Sequence, residues 1–214
     1  RWTARLGLSC TNWPTAMKCL NFLNLPVTIE SSHMRHMPDP VLASTPMRTP
    51  VELAAQDPTQ YRKALSCFAT GVTVVTSRWQ EKDWGMTCNS FSSVSLEPRL
   101  VLWSIRKAAS SLEAFTQSGG FTVSVLALHQ QALARQFATG DMASRFNNVP
   151  VHKQHSGRLR LSESLAWFDC SLHQLVDAGD HHIVIGQVQE FGSNDAAALG
   201  FCRSQFGQFH VSVA

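Results

Sequence analysis

Within seven positions the chain sets Thr87, Asn89, Ser90, Ser92 and Ser93, a run of hydroxyls and one amide, around the apolar Cys88 and Phe91. Such groups can hydrogen-bond a phosphate or the edge of a heterocycle, while Phe91 and Val94 anchor the segment on a core. None of these side chains is a strong acid, base or metal ligand, so a site built from them would bind a group that brings its own chemistry. Taken alone, the cluster reads equally as a solvated loop whose Asn and Ser side chains bond their own backbone.

Further candidates lie downstream. Ser110-Ser111 open an expected short helix, where unpaired N–H groups and hydroxyls can hold an anion or merely cap the helix. Arg145, followed by Phe146, offers a guanidinium fork suited to paired phosphate oxygens. Lys107 and Arg106 could add charge near Ser110 or be solvated surface residues. His181 and His182 follow a Gly-Asp turn, where a histidine is ordinarily just exposed. The pairs His33/His36 and His152/His155 lack the neighbours of a zinc site, so no metal is expected, and Cys88 reads as packing beside a ligand rather than reacting.

These residues need a scaffold, and the pattern supplies one. Asp57-Pro58-Thr59-Gln60 carries helix-start chemistry, predicting a helix to about Thr70 with Tyr61, Leu65, Phe68 and Ala69 on one face. The β-branched run Val72 to Thr76 predicts a strand, Trp79 to Asp83 a hairpin connection, and Trp84 to Ser90 the returning strand. Leu100 to Ile105 reads as a central strand, and the helix from Ser110 should bury Leu112 and Phe115 before Gly119-Gly120. Phe121 to Leu126 is a strand and Gln130 to Ala138 a helix. Ala166, Phe168, Cys170 and Leu172 alternate with Trp167, Asp169, Ser171 and His173, a half-buried strand paired through the turn at 177–180 with His182 to Val188. Many strands and few helices imply a mainly β fold, a closed or partly closed antiparallel barrel. There is no G-x-G-x-x-G after a strand, which argues against a Rossmann domain.

The chain has 214 residues, 44% of them hydrophobic, enough for one domain with a buried core. A net charge of +3 without a Lys/Arg run argues against nucleic acid, and no apolar stretch reaches the ~20 residues of a membrane span. The cysteines at 10, 19, 67, 88, 170 and 202 are scattered, with no C-x-x-C pair and no secretory segment, and read as reduced thiols of a cytoplasmic protein. Residues 1–46, with Trp2, Trp13, four basic and two acidic residues, show no sustained period and read as an extension outside the domain of residues 47–214. Without them fourteen basic residues face thirteen acidic ones, a balance of +1. Arg1 is not an initiator and Met47 precedes the patterned region, so an upstream extension or misassigned start is expected, an organelle-targeting peptide being the alternative.

The stretch from Gly85 to Leu102, G-M-T-C-N-S-F-S-S-V-S-L-E-P-R-L-V-L, resembles the loop of the split-barrel flavin reductases, reductase components of two-component flavin-dependent monooxygenases. More motifs follow in that family's order: Phe68 to Thr76, Ser110-Ser111, Gly120 to Leu126, Gln130 to Phe137, Arg145-Phe146, Gly179 to Val188 and Phe201 to Gly207. Arg99 stands where the family has a second proline, and Cys202, Ser204 and Gln205 depart from its last motif, Y-x-R-G-x-Y-G. The resemblance covers roughly residues 57–210. It implies an antiparallel, Greek-key FMN-binding split β-barrel that dimerises, with FMN, or alternatively FAD, held by Thr87, Cys88, Asn89, Ser90, Phe91 and Ser92. It further implies Ser110, Ser111, Arg145, Phe146 and Arg203 as cofactor contacts and His181 beside the nicotinamide of NADH or NADPH. The implied reaction is hydride transfer from the nicotinamide to flavin, with reduced flavin passed to a monooxygenase partner. A non-enzymatic flavin-binding electron carrier and an oxidase of the pyridoxamine phosphate type are the alternatives on the same barrel.

Overall fold

The computed structural model describes residues 57–209, so the expected boundary at Met47 and the reading of residues 1–46 lie outside the described residues. Helix α1 (Pro58–Leu65) starts as its sequence dictates: Asp57 accepts a 2.9 Å hydrogen bond from the Thr59 amide, with Pro58 in the first turn. It stops at Leu65, five residues short of the expected end, and buries nothing. Tyr61, Leu65 and Phe68, expected to face a core, are exposed: the chain turns at residues 66–68, and no packing partner covers them among the described residues.

Twelve strands follow: β1 (Thr70–Gly71), β2 (Thr73–Trp79), β3 (Lys82–Cys88), β4 (Ser92–Leu96), β5 (Arg99–Arg106), β6 (Gly120–Val125), β7 (Val151–Lys153), β8 (Leu159–Leu161), β9 (Ala166–Ala178), β10 (His181–Ser193), β11 (Leu199–Cys202) and β12 (Gln205–Gln208). Helices α2 (Leu112–Gln117) and α3 (Gln131–Thr139) complete the elements used below. Seven strands form one antiparallel sheet in the order β3-β2-β6-β9-β10-β5-β4, and β1, β11 and β12 form a second, smaller one. The mainly β, antiparallel expectation therefore holds, with three differences of detail. The β2–β3 connection is only Gln80-Glu81, because both residues take positive φ (50° and 59°), as the tight two-residue turn requires. Residues 92–96, expected as loop, pair with β5 and make the sheet edge, so β5 is one strand in from that edge rather than central. Asp169, expected on a wet face, is only 3% exposed.

The burial of Asp169 has a clear cause. The β7–β8 hairpin covers that face, and Arg158 beside β8 donates from Nε to Asp169 Oδ1 at 2.9 Å while the directly paired Thr122 donates its hydroxyl to the same oxygen at 2.7 Å. A buried carboxylate is tolerable only with such partners.

Two apolar clusters hold the fold. Inside the main sheet, Trp103 meets Phe115 and Phe121 edge-on at 5.0 and 5.6 Å, surrounded by Val75, Ile105, Val123, Cys170 and Val184. Burial pushes the Cys170 thiol up to about 12. The second cluster packs α3 against β2 and β3 through Val72, Val74, Ala134 and Phe137. Strand β2 feeds both clusters, which explains why it reads as an unbroken apolar and threonine run rather than an alternating one.

Candidate functional site

Strand β3, helix α3 and the β11–β12 hairpin meet around a groove. Its apolar part, about 190 Å³, is lined by Val72, Thr87, Cys88, Asn89, Ala134, Ala138, Phe201 and Phe206. A neighbouring part of about 220 Å³ is lined by Met86, Thr87, Ser110, Ser111, Met142 and Arg145 among others, and Thr87 and Ala138 belong to both. Thr87, Cys88, Asn89, Ser110, Ser111 and Arg145, spread over 59 positions of the chain, are thus brought to one groove. The remaining expected residues, Ser90, Phe91, Ser92, Phe146, His181 and Arg203, line neither part. Phe91 stacks on Phe168 at 5.5 Å, Phe146 packs edge-on against Phe137 at 5.1 Å, and Arg203 sits at the tip of the β11–β12 hairpin with its amide bonded to the Ser66 carbonyl.

The hydroxyls of the 87–93 cluster are mostly engaged by the protein itself. Thr87 donates to the Ala134 carbonyl at 2.6 Å, tying β3 to α3. Ser90 accepts from the Ser104 amide at 2.9 Å, finishing the edge of β5 just beyond the point where β4 begins, and lies 3.1 Å from Cys88 Sγ. Ser92 donates only to the neighbouring Ser93 carbonyl at 3.2 Å. Asn89, which is exposed and lines the groove, has an amide with no partner among the described residues, leaving two donors and an acceptor for a ligand. Loop chemistry and ligand chemistry, equal readings of the sequence, are therefore divided between different residues of the same segment.

The expected anion site shifts its weight from a helix end to a guanidinium. Helix α2 is only six residues long, and its cap Ser111 makes no capping bond, reaching Met86 Sδ at 3.8 Å instead. Arg145 is held by the Gly85 carbonyl at 2.6 Å and the Gly140 carbonyl at 3.0 Å, and makes no ion pair within the described residues. Burial pushes its pKa down, opposed only by the field of Asp141. A half-buried guanidinium with no ion-pair partner among the described residues, lining the same part of the groove as Ser110 and Ser111, is a donor group suited to a phosphate. Gly85 makes the arrangement possible: a Cβ there would lie 2.6 Å from Phe137 Cε1, so a side chain would push α3 off the strand and displace the carbonyl that aims Arg145. The donors left for an anion here, among the described residues, are the remaining N–H groups of Arg145 and the Ser110 hydroxyl.

His181 begins β10, opposite Arg106 of β5, with Nδ1 2.7 Å from Asp180 Oδ1. That contact holds the Asp180 carboxyl below the usual range. Lys107 of the following loop bonds Asp177 at 2.7 Å and the Asp180 carbonyl through its amide at 2.9 Å, which fixes this end of the sheet three residues before Ser110. His181 itself lines neither part of the groove.

Among the groove residues that escaped the sequence reading are Ala134, Ala138, Phe201 and Phe206. Ala134 and Ala138 stand four apart on α3, and that small-residue spacing beside Leu133 and Phe137 was the available signal for a hollow there. Phe201 and Phe206 meet edge-on at 5.4 Å, and Arg135 lies over the Phe206 ring at 5.1 Å from its centre.

The chain is similar to several known proteins. An FMN reductase (NADH) of Agrobacterium fabrum is 40% identical over 149 residues, covering 70% of this chain and 84% of that protein. A probable flavin reductase of Rhizobium meliloti is 39% identical over 151 residues, and the match spans 48% of that longer protein. Among solved structures, the Streptomyces globisporus NADH:FAD oxidoreductase in complex with NAD and FAD fragments superposes with a TM-score of 0.70 at 34% identity, covering 74% of this chain and 96% of that one. The flavin reductase PheA2 in its native state gives 0.68 at 34% identity over 73% of this chain and all of the other. The family model of the flavin reductase like domain matches residues 65–210, two thirds of the sequence, and the chain belongs to that family.

Proposed function

We propose that this chain reduces flavin with a nicotinamide hydride and supplies the reduced flavin to a separate monooxygenase. It is an NADH-dependent flavin oxidoreductase of the split-barrel type, acting on FMN or FAD. The observation that carries the placement of the site is the continuous groove from Asn89 to Arg145, apolar at one end and cationic at the other. When bound, flavin supplies the nitrogen that accepts hydride. The chain's own work is positional. Asn89 bonds the heterocycle edge or ribityl chain, Ala134 and Ala138 leave room for the rings, and Phe201 and Phe206 wall off water. Arg145 with Ser110 and Ser111 holds the phosphate. His181, oriented by Asp180, contacts the nicotinamide and holds it without acting as a base. Bringing the two reacting atoms within ~3–3.5 Å is where such a site gains its rate.

The assembly is a homodimer in this reading. Strand β4 leaves an open sheet edge bearing the exposed Val94 and Leu96, and exposed Phe191 lies nearby under the Arg99 guanidinium, 5.5 Å from the ring centre. Open edges and apolar patches are ordinarily covered. The free thiols Cys67, Cys88, Cys170 and Cys202 suit a reducing cytoplasm, and no helix among the described residues is long and apolar enough to cross a membrane. Stopped-flow bleaching of FMN, FAD and riboflavin by NADH and NADPH tests the reaction. Binding of flavin without nicotinamide-dependent bleaching would leave only a flavin-binding module.

A further inference from the structure

Away from the flavin groove, a cavity of about 550 Å³ lies between α1 and the tip of the β11–β12 hairpin, lined by Thr59, Arg62, Lys63, Ser66, Cys67, Arg203 and Ser204. Cys67 lines it, and Cys202 stands beside the Cys67 backbone. Cys202 Sγ points at the Cys67 carbonyl oxygen, 3.7 Å away, and the 2.6 Å bond from the Arg203 amide to the Ser66 carbonyl pins the two backbones together. A carbonyl oxygen sits about 2.4 Å from its own Cα, so Cys202 Sγ is at most about 6 Å from the Cys67 Cα. Cys67 is exposed and its sulfur rests 3.5 Å from the Lys63 carbonyl, a weak contact that one side-chain rotation releases. We infer that Cys67 and Cys202 are a peroxide-responsive thiol pair whose disulfide pulls on one wall of the flavin groove.

The oxidant is hydrogen peroxide, formed when dioxygen takes two electrons and two protons from reduced flavin that fails to reach its acceptor. That source rests on the flavin reductase reading; the thiol chemistry does not. The open cavity admits peroxide to Cys67, whose thiolate attacks one peroxide oxygen. The O–O bond breaks, hydroxide leaves and takes a proton to become water, and Cys67 becomes a sulfenic acid. Cys202 then attacks that sulfur, the S–S bond forms and the second oxygen leaves as water. Two thiols lose two electrons and one peroxide becomes two waters. Closing the sulfurs draws the hairpin tip toward α1, and Phe201, adjacent to Cys202 and part of the groove wall, moves with it.

The test is to treat the full chain, free of flavin, with stoichiometric hydrogen peroxide and to map cross-links by non-reducing proteolysis and mass spectrometry. Flavin affinity is then titrated before and after oxidation. The expected result is a Cys67–Cys202 link within one chain, reversed by dithiothreitol and absent in Cys67→Ser and Cys202→Ser. FMN should bind roughly threefold or more weakly in the linked form, a factor worth about 0.65 kcal/mol, with both reduced serine variants binding like reduced wild type. A sulfinic acid on Cys67, or a link to Cys10, to Cys19 or between chains, would overturn the pairing. A clean Cys67–Cys202 link that leaves flavin affinity unchanged would overturn the pull on the groove. The mass result is read without flavin, so its failure is distinct from failure of the reductase assay.

Discussion

Replacing Arg145 with methionine separates the proposed phosphate contact from an observed scaffold contact of the same guanidinium. Toward the protein it donates to the carbonyls of Gly85 and Gly140; toward the groove it lines the same part as Ser110 and Ser111 and makes no ion pair among the described residues. A hydrogen bond to a charged group contributes about 1.5–3 kcal/mol, so losing the phosphate contact should weaken FMN binding on the order of 10- to 150-fold. The freed carbonyls belong to a half-buried neighbourhood that water can reach, and should lower stability by about 1 kcal/mol. Methionine keeps much of the side-chain length while removing the charge. The assay is paired calorimetric titration of wild type and variant with FMN and with riboflavin, which lacks the phosphate. FMN affinity should fall to near that of riboflavin, while riboflavin affinity stays within about twofold of wild type. An equal loss for both ligands would mean that Arg145 acts only by holding Gly85, and would remove the phosphate from this end of the groove.

Asn89→Ala, deleting the one uncommitted amide of the loop, should weaken FMN and riboflavin alike by about fivefold, the worth of a neutral hydrogen bond, in the same titrations. His181→Ala should slow the stopped-flow reduction rate on the order of 10-fold while leaving flavin affinity within about twofold; a fall in affinity alone would place the histidine on flavin instead. Glu81→Gly and Ser204→Gly should each raise stability by about 0.5–1 kcal/mol in urea denaturation, since Glu81 and Ser204 hold φ of 59° and 63° where glycine is unstrained. Cys170, raised to about 12 from the ordinary 9.0, favours the protonated folded form. Its contribution is complete below pH 9 and is lost as pH rises from 9 to 12, on the order of 4 kcal/mol over that window; Cys170→Ala should flatten that part of the stability profile.

The strands were legible because their patterns were local. Val72 to Thr76 could not be read as solvated, and the alternation from Ala166 to Leu172 named the right element. The faces were another matter: the polar set of that alternation includes Asp169, and nothing within the strand announces that Arg158 will arrive to cover it. Helix α1 failed in the opposite direction. Its cap chemistry fixed the start, yet an apolar stripe shows only that a face could be buried, and Tyr61, Leu65 and Phe68 have no partner within the described residues. Half of the residues that the motifs singled out line the groove, and which of their polar groups stay open needed coordinates. A hydroxyl next to a possible ligand and a hydroxyl bonded to Ala134 look the same in a sequence.

Thr87 and Asn89 show what that division accomplishes. Successive outward positions of one strand end carry two polar side chains, and the fold commits the first inward to the Ala134 carbonyl while leaving the second open. The inward bond holds α3 at the distance where Ala134 and Ala138 shape the hollow; the open amide then meets whatever enters. Gly85, two residues earlier on the same strand, sets that distance from the other side by admitting the Phe137 ring and presenting its carbonyl to Arg145. The spacing of Gly85 and Thr87 on β3 and of Asn89 just past its end therefore couples three tasks to one stretch of chain: approach of the helix, its fastening and, in the proposed function, recognition of the ligand. A strand repeats in twos, so a one-residue slip in β3 would undo all three together. That is why the groove depends on the register of this edge strand as much as on the identity of any side chain in it.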